Sequence, residues 1–494
     1  MFDKVLIANR GEIAVRIIRA LREMGVASVA VFSEADRAER HVRLADEAYC
    51  IGPAPSSQSY LNADAILEVA RRSGAQAVHP GYGFLSERAA FARRCKEAGL
   101  VFIGPPAEAI DAMGEKTRAR RLMAAAGVPV VPGTLEAVAT LEAAQAEAGK
   151  AGYPVMLKAA AGGGGKGMRL VHSPEEMASA FRNAASEALQ SFGDGSVYIE
   201  KAIVRPRHIE VQVLCDAHGN AVWLGERECS IQRRHQKIVE EAPSPFVSPA
   251  MRAEMGEIAL RAARAVGYVN AGTIEFLVSQ EGDFYFMEMN TRLQVEHAVT
   301  EMVTGLDIVK EQLRVAAGEP LSFGQADVAI RGWAMECRLY AEDPQNAFLP
   351  CPGKVVAVRL PEGPGVRVDA AVYQGGEVSI HYDPMIAKVI TWGASRSEAA
   401  AIMARALDEF QIVGIRSNRH FLLQIVGHPA FLAGELDTDF IPRHLGGEGR
   451  RVPEPHPVAD IAAAIAAYES ARRATPCPKS GTTISAWRRA TGRM

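Results

Sequence analysis

Two short apolar segments, each carrying one carboxylate among large hydrophobic side chains, restrict this chain more than any other feature. The first is Thr273-Ile274-Glu275-Phe276 and the second is Phe284-Tyr285-Phe286-Met287-Glu288-Met289-Asn290, with the turn-like Ser279-Gln280-Glu281-Gly282-Asp283 between them. They predict an antiparallel hairpin that places Glu275 and Glu288 among hydrophobic neighbours, where an unpaired charge is costly. A cation between them removes that cost. Hard Mg²⁺ or Mn²⁺, held by one or two carboxylates plus substrate phosphates, fits the donors. Period-two counting extends the pattern, because Glu288, Asn290, Arg292, Gln294 and Glu296 share one face if the chain stays extended, with Met287, Met289, Leu293 and Val295 on the other. An arginine beside a metal-phosphate site can hold a small oxyanion bidentately, and a nearby glutamate can remove its proton.

A second segment points to phosphate. Pro154-Val155-Met156-Leu157-Lys158-Ala159-Ala160-Ala161 leads into Gly162-Gly163-Gly164-Gly165-Lys166-Gly167-Met168-Arg169, which puts Lys158 on a strand and Lys166 inside a glycine run. Amides without side chains can close over a polyphosphate whose charge the two ammonium groups neutralise. No strand leads through Gly-Lys-Ser/Thr into a helix, so this is not a Walker A loop. Val197 to Ile203 reads as a strand ending in a linker, where backbone groups of Lys201 and Ile203 can read an adenine edge. In Arg207 to Val213, His208, Glu210 and Gln212 share one strand face and Ile209, Val211 and Val213 the other.

The first hundred residues alternate apolar runs (Val5 to Ala8, Ser28 to Phe32, and runs near Ala77 and Phe102) with helical patterns such as Glu12 to Met24, the rhythm of a parallel sheet with crossover helices. Gly81-Tyr82-Gly83 and Gly104-Pro105-Pro106 follow strands, where open α/β sheets place ligand-contacting loops. After a helix over about Lys116 to Ala126, Gly127-Val128-Pro129 and Pro132-Gly133 suggest a boundary. Alternating strands follow to about Glu301, then a mixed region with strands Lys354 to Arg359 and Met385 to Thr391 and a helix Ser397 to Phe410. Beyond Gly446 the composition shifts to Pro, Ala and Arg, with one helix expected near Ala459 to Ala474 in a peripheral or poorly ordered tail.

With 494 residues, 48% hydrophobic, the chain can bury a large core and divide into roughly three domains. Its formal charge of −3, from 55 basic and 58 acidic residues, supplies no broad positive field for nucleic acid or anionic membrane. No apolar stretch approaches the roughly 18 residues of a membrane span, and no signal peptide is legible. The seven scattered cysteines, without a C-x-x-C pair, suit reduced thiols and a cytoplasmic location.

Together, Pro154 to Arg169, Arg207 to Val213, Glu226 to Lys237 and Glu288 to Glu301, with Ala8 to Ala14 and His79 to Glu87 in the same order, resemble the motifs of biotin carboxylases of the ATP-grasp superfamily. The resemblance covers roughly residues 2 to 445. It implies an α/β protein with an N-terminal parallel α/β (pre-ATP-grasp) domain over 1–115, an ATP-grasp domain over 116–330 with a lid subdomain at about 131–203, a C-terminal mixed α+β domain over 331–446, and a tail or linker over 447–494. It implies ATP contacts from Lys116, Lys158, Glu200, Lys201, Ile203, His208, Gln232, His235 and Lys237, with the loop of Gly163, Gly164, Gly165, Lys166 and Gly167 as a mobile lid. Glu275, Glu288 and Asn290 would hold Mg²⁺ or Mn²⁺ at two sites. Bicarbonate would rest on Arg292 and the backbone amides of Gln294 and Val295, with Glu296 as its base, and Arg338 with Tyr82 would meet biotin.

The implied reaction is ATP-dependent carboxylation of biotin through carboxyphosphate, with catalytic roles for Glu296, Arg292, Arg338 and Lys237. Ala298 stands where many relatives carry proline and Glu115 where many carry aspartate; neither removes a charged group of the site. No lysine lies between two methionines, so a biotin carrier must come from a separate protein or a further domain, and a carboxyltransferase subunit from elsewhere. His381-Tyr382-Asp383-Pro384-Met385 and the tail lean toward acyl-CoA carboxylases of methylcrotonyl-, propionyl- or acetyl-CoA type, working as a homodimer or larger complex. The alternatives are the biotin carboxylase part of a pyruvate or urea carboxylase, another ATP-grasp carboxylate-amine ligase, and a nucleotide-binding subunit without turnover.

Overall fold

Val5, Leu6 and Ile7 are fully buried in the strand Lys4–Ile7, the centre of a five-stranded parallel sheet. The order across that sheet is Glu47–Cys50, Ala27–Phe32, Lys4–Ile7, Ala77–His79 and Val101–Phe102. The computed structural model describes residues 1–134, 136–159 and 168–446. The lid glycines Gly163, Gly164, Gly165 and Gly167 with Lys166, and the tail with its expected helix, lie outside the described residues.

The strand order reverses between Lys4–Ile7 and Ala77–His79, the place where open α/β sheets hold ligands. Two loops leave the sheet there and are clasped together, since Asn9 donates its side-chain amide to the carbonyls of Pro80 and Tyr82 at 2.7 Å each. Gly81 is required at this point. Its φ is +63°, and a Cβ would stand 3.0 Å from the Asn9 amide nitrogen. The helix Gly11–Glu23 covers one face of the sheet with Ile13, Ala14, Ile17, Ile18 and Leu21, at the spacing of one helical stripe.

Residues 141–201 contribute a small antiparallel sheet in which Val155–Ala159 pairs with Arg169–Val171 and Val197–Lys201, flanked by the helices Leu141–Ala151 and Pro174–Phe192. Val155 and Leu157 face its core while Met156 and Lys158 alternate onto the opposite, half-buried face.

The largest layer is an eight-stranded sheet in the order Phe284–Asn290, Asn270–Val278, Arg207–Cys215, Ala221–Arg233, Gln236–Ala242, Trp333–Tyr340, Met385–Gly393 and Val366–Ala370. All its pairings are antiparallel. The ladder from Gln236–Ala242 to Trp333–Tyr340 joins the second and third regions expected from the sequence into one sheet. The helix Pro249–Ala265 packs on the Arg207–Cys215 and Ala221–Arg233 strands with Met255, Ala259 and Ala262, and the helix Arg396–Glu409 covers the C-terminal strands with Ala399, Met403 and Leu407. The expected strand Lys354 to Arg359 is instead two short ones, Gly353–Lys354 and Ala357–Arg359. Between them Val355 donates to Gly376 and Val356 to Val413, so the chain changes partners mid-run.

The predicted hairpin forms between Asn270–Val278 and Phe284–Asn290, with one irregularity that the site needs. Glu275 lies opposite Glu288, but Phe276 lies opposite Phe286, leaving Met287 as an extra residue on its strand. Strict alternation would put Phe284 and Phe286 on the same face as Glu288. The bulge reverses the parity, so both phenylalanines enter the core, 9% and 1% exposed, while Glu288 keeps the face of Glu275.

Candidate active site

The polar face of the large sheet carries charged side chains abreast. Register places Glu288, Glu275, Glu210 and Arg227 side by side on four adjacent strands. Like charges directly opposite one another repel, so the row stands only with cations inserted. Lys237, on the next strand, donates to Glu210 at 2.6 Å, Glu275 at 2.8 Å and Glu296 at 2.7 Å. Arg227, fully buried, reaches Glu210, and also Gln212 at 2.7 Å, Thr300 at 2.9 Å and Thr273 at 3.0 Å. Burial by itself would lower the Lys237 pKa, but Glu210, Glu275 and Glu296 outweigh it and hold the ammonium well above its ordinary value. Glu275 is affected in the opposite sense. Burial would raise its carboxyl, yet Lys237 and His208 keep it below the usual carboxylate range.

Glu296 is fully buried and held from both sides, by Lys237 on one oxygen and by Arg338 at 2.8 Å on the other. Those two cations and Arg227 overcome burial and keep its carboxyl well below the ordinary value. Arg338 also pairs with Glu240, whose own carboxyl burial pushes up to about 7 in spite of the guanidinium. Arg338 projects from Trp333–Tyr340 and Lys237 from Gln236–Ala242, so two neighbouring strands present both cations to one carboxylate.

Between Asn290 and Glu296 the extended run expected from period-two counting is absent, because the strand ends at Asn290 and a turn leads into the helix His297–Thr304. Glu87 braces the turn, accepting from the Thr291 backbone N–H at 3.1 Å and from the Arg292 Nε at 2.9 Å, while Leu293 is buried beneath. The five side chains still converge. Arg292 donates to Asn290 and Gln294 at 3.0 Å each, Asn290 donates to Glu275 at 2.8 Å, and Gln294 donates to Glu275 at 3.3 Å. Val295 is half-buried with its carbonyl facing Lys388.

Beyond the carboxylate row, Lys116 opens the helix Lys116–Ala125 with its Nζ 3.8 Å from Glu288, and Lys158 pairs with the buried Glu200. Arg120 reaches the other Glu200 oxygen and the Val131 carbonyl at 2.9 Å. Lys201 donates its N–H to Pro132 at 2.7 Å and its ammonium to Gly152 at 2.8 Å, and Ile203 is half-buried. His208 has Nε2 3.1 Å from Glu275 and accepts from Gln232 at Nδ1, 2.8 Å away. His235 stands apart. It is exposed at the tip of the Arg234-His235 turn, where both residues have positive φ. Tyr82, on the switch-point loop, gives its hydroxyl to Glu12.

Glu87, Arg120, Arg227, Glu240 and Lys388 were not among the candidate residues expected from the sequence. Lys388 had a signal, a lone lysine inside the apolar run Met385-Ile386-Ala387-Lys388-Val389-Ile390. Glu240 and Arg120 had none, since their partners come from distant strands.

Family models match three successive segments, described as the biotin carboxylase N-terminal domain (residues 1–110), the ATP-binding domain of the carbamoyl-phosphate synthase L chain (115–323) and the biotin carboxylase C-terminal domain (336–443). The biotin carboxylase of Halalkalibacterium halodurans is 54% identical over 445 residues, covering 90% of this chain and 98% of that protein. The chain belongs to the biotin carboxylase family. Biotin carboxylases are ATP-dependent ligases, and this chain is an enzyme of that class. The alpha subunit of mitochondrial methylcrotonoyl-CoA carboxylase from Mus musculus is 56% identical over 442 residues, 89% of this chain. The chain spans only 62% of that relative's length. Among solved structures, the biotin carboxylase domain of the 2-oxoglutarate carboxylase of Hydrogenobacter thermophilus, in complex with MgADP and bicarbonate, superposes with a TM-score of 0.86 at 46% identity, covering 91% of this chain and 99% of that one.

Proposed function

We propose that this biotin carboxylase uses ATP and bicarbonate to carboxylate biotin presented by a carrier, as a component of an acyl-CoA carboxylase of methylcrotonyl-, propionyl- or acetyl-CoA type. One observation carries the chemistry, the fully buried Glu296 held between Lys237 and Arg338. On this reading Glu296 takes the proton of bicarbonate held by Arg292 and the amides of Gln294 and Val295. The bicarbonate oxygen then attacks the γ-phosphorus, ADP leaves, and carboxyphosphate breaks down to carbon dioxide and phosphate. Phosphate accepts the biotin N1 proton, Arg338 stabilises the ureido anion, and that nitrogen attacks carbon dioxide. A carboxylate held so far below its ordinary pKa is a weak base. ATP phosphates near Lys237 would compete for the ammonium and return basicity to Glu296 when the nucleotide is in place.

Glu275, Glu288 and Asn290 would hold Mg²⁺ or Mn²⁺. The two glutamates lie opposite each other, and burial together with the Glu275 charge pushes the Glu288 carboxyl up, a repulsion that a divalent cation relieves. When bound, the ion neutralises and orients the triphosphate. Lys116, Lys158 and Lys237 would meet the phosphates, and the Lys201 carbonyl and Ile203 N–H the adenine.

The acceptor reading rests on the likeness to methylcrotonoyl-CoA carboxylase alpha and on the His381 to Met385 segment. A carrier, a carboxyltransferase and a second copy of the chain complete the proposed complex. A cytoplasmic site accords with the described cysteines, all free thiols, and no described helix is long and apolar enough to cross a membrane. Phosphate release from MgATP, measured with and without bicarbonate and free biotin, tests the reaction. Release that depends on bicarbonate and rises with biotin is expected, and release indifferent to both would overturn it.

A further inference from the structure

Lys388 has no exposed surface, yet it stands mid-strand between the equally buried Ala387 and Val389. A lysine in such a place requires acceptors and counter-ions. Its ammonium donates to the Val295 carbonyl at 2.6 Å and lies 3.6 Å from Glu12 and 3.8 Å from Asp369. Register sets Lys388 opposite Arg338 on one neighbouring strand and Asp369 on the other, so it shares a sheet face with Arg338. Burial opposes its charge, but Glu12, Glu336 and Asp369 outweigh burial and keep it protonated.

His297 acts on the adjoining peptide. It is fully buried, with Nδ1 2.8 Å from the Gln294 carbonyl. A carbonyl can only accept, so Nδ1 carries the hydrogen. Burial, and then the Lys388 charge, hold the imidazole pKa well below its ordinary value, so the ring is neutral.

A trans peptide is planar, with C=O and N–H pointing in opposite directions. The Gln294 carbonyl turned onto His297 therefore sends the Val295 N–H the other way, and the Val295 carbonyl turned onto Lys388 fixes the next plane, the one leading into Glu296. We infer that Lys388 and His297 are positioning residues for bicarbonate, locking two consecutive peptide planes so that the Val295 amide faces the oxyanion and the Glu296 carboxylate faces its proton. This inference rests on the bicarbonate site proposed above. Donors fixed in advance need no reorganisation when charge develops, which is the physical advantage of fixing them from a buried ammonium and a buried ring. The same ammonium ties in the switch-point loop, because Tyr82 donates to Glu12 beside it.

The test is a set of steady-state measurements on the full chain, with KM for bicarbonate and KM for ATP determined separately in bicarbonate-dependent phosphate release. Lys388→Met keeps the aliphatic length, His297→Leu removes the donor, His297→Asn returns a donor near the Nδ1 position, and Arg292→Ala reports on the bicarbonate site itself. The expected result is a bicarbonate KM raised roughly tenfold or more in Lys388→Met and His297→Leu, an ATP KM within about twofold of wild type, and recovery in His297→Asn. Should Lys388→Met fail to fold, the two His297 variants decide the matter. If Arg292→Ala raises the bicarbonate KM while Lys388→Met and His297→Leu do not, or raise both constants alike, the positioning role is overturned and the site stands. If Arg292→Ala leaves the bicarbonate KM unchanged, the site is misplaced and this inference falls with it.

Discussion

Replacing Lys237 with methionine removes the one cation shared by Glu210, Glu275 and Glu296, at 2.6, 2.8 and 2.7 Å. Each contact is an attraction of about 6 kcal/mol at an effective dielectric of 20, largely offset by the desolvation of the four charges. Losing a buried partner from such a set costs about 3–5 kcal/mol, because three buried carboxylates then share only Arg227, Arg338 and His208. Unfolding entropy near 2.1 cal/mol/K per residue over 494 residues is about 1 kcal/mol/K, so Tm should fall by about 3–5 °C at pH 8. The pH dependence is more telling. In the wild type, Glu275 and Glu296 are depressed, so their contribution is complete above the unfolded carboxylate range and is lost only as pH falls through their native values. In the variant these carboxyls shift upward and retain protons the unfolded chain has released. Stability then falls by about 1.4 kcal/mol for each unit rise in pH and each retained proton. Glu12 and Glu240, held near 7, and other raised carboxyls give both proteins a background slope, so the readout is the difference in Tm between them across pH 5.5 to 8 by scanning calorimetry. The difference should narrow toward pH 5.5. A difference that is constant, or that widens on acidification, would refute the account of the carboxylate cluster.

Glu296→Gln should bind ATP at least as tightly as the wild type and lose roughly 10²–10⁴ of bicarbonate-dependent phosphate release, measured with a coupled phosphate assay. Arg120→Met leaves Lys158 as the nearest cation to Glu200; denaturant titration should show a loss of about 3–5 kcal/mol and kinetics a raised ATP KM as Lys158 is drawn from the phosphates. Deleting Met287 removes the bulge, so either the two phenylalanines leave the core or Glu288 leaves Glu275. A lower Tm and loss of MgATP-dependent stabilisation are expected, and a wild-type response to MgATP would contradict this.

The hairpin, the carboxylates it aligns and the parallel N-terminal sheet were legible because each is written in local periodicity. Glu275 and Glu288 stand out as charges in apolar strands, and alternation placed His208, Glu210 and Gln212 on one face. The bulge at Met287 was not legible, since its cause is the burial of Phe284 and Phe286 against a helix far away in sequence. Nor was the turn after Asn290, which Glu87 braces from about two hundred residues away in the chain. Glu240, Arg120 and Lys388 owe their surroundings to strand order, which no single segment encodes.

In the proposed reaction bicarbonate attacks the terminal phosphorus of ATP on this sheet. Incubating the chain with MgATP, biotin and ¹⁸O-labelled bicarbonate, and weighing the released phosphate by mass spectrometry before label exchanges with water, tests it directly. One ¹⁸O atom in the phosphate is the predicted result; phosphate whose fourth oxygen comes only from water would contradict it.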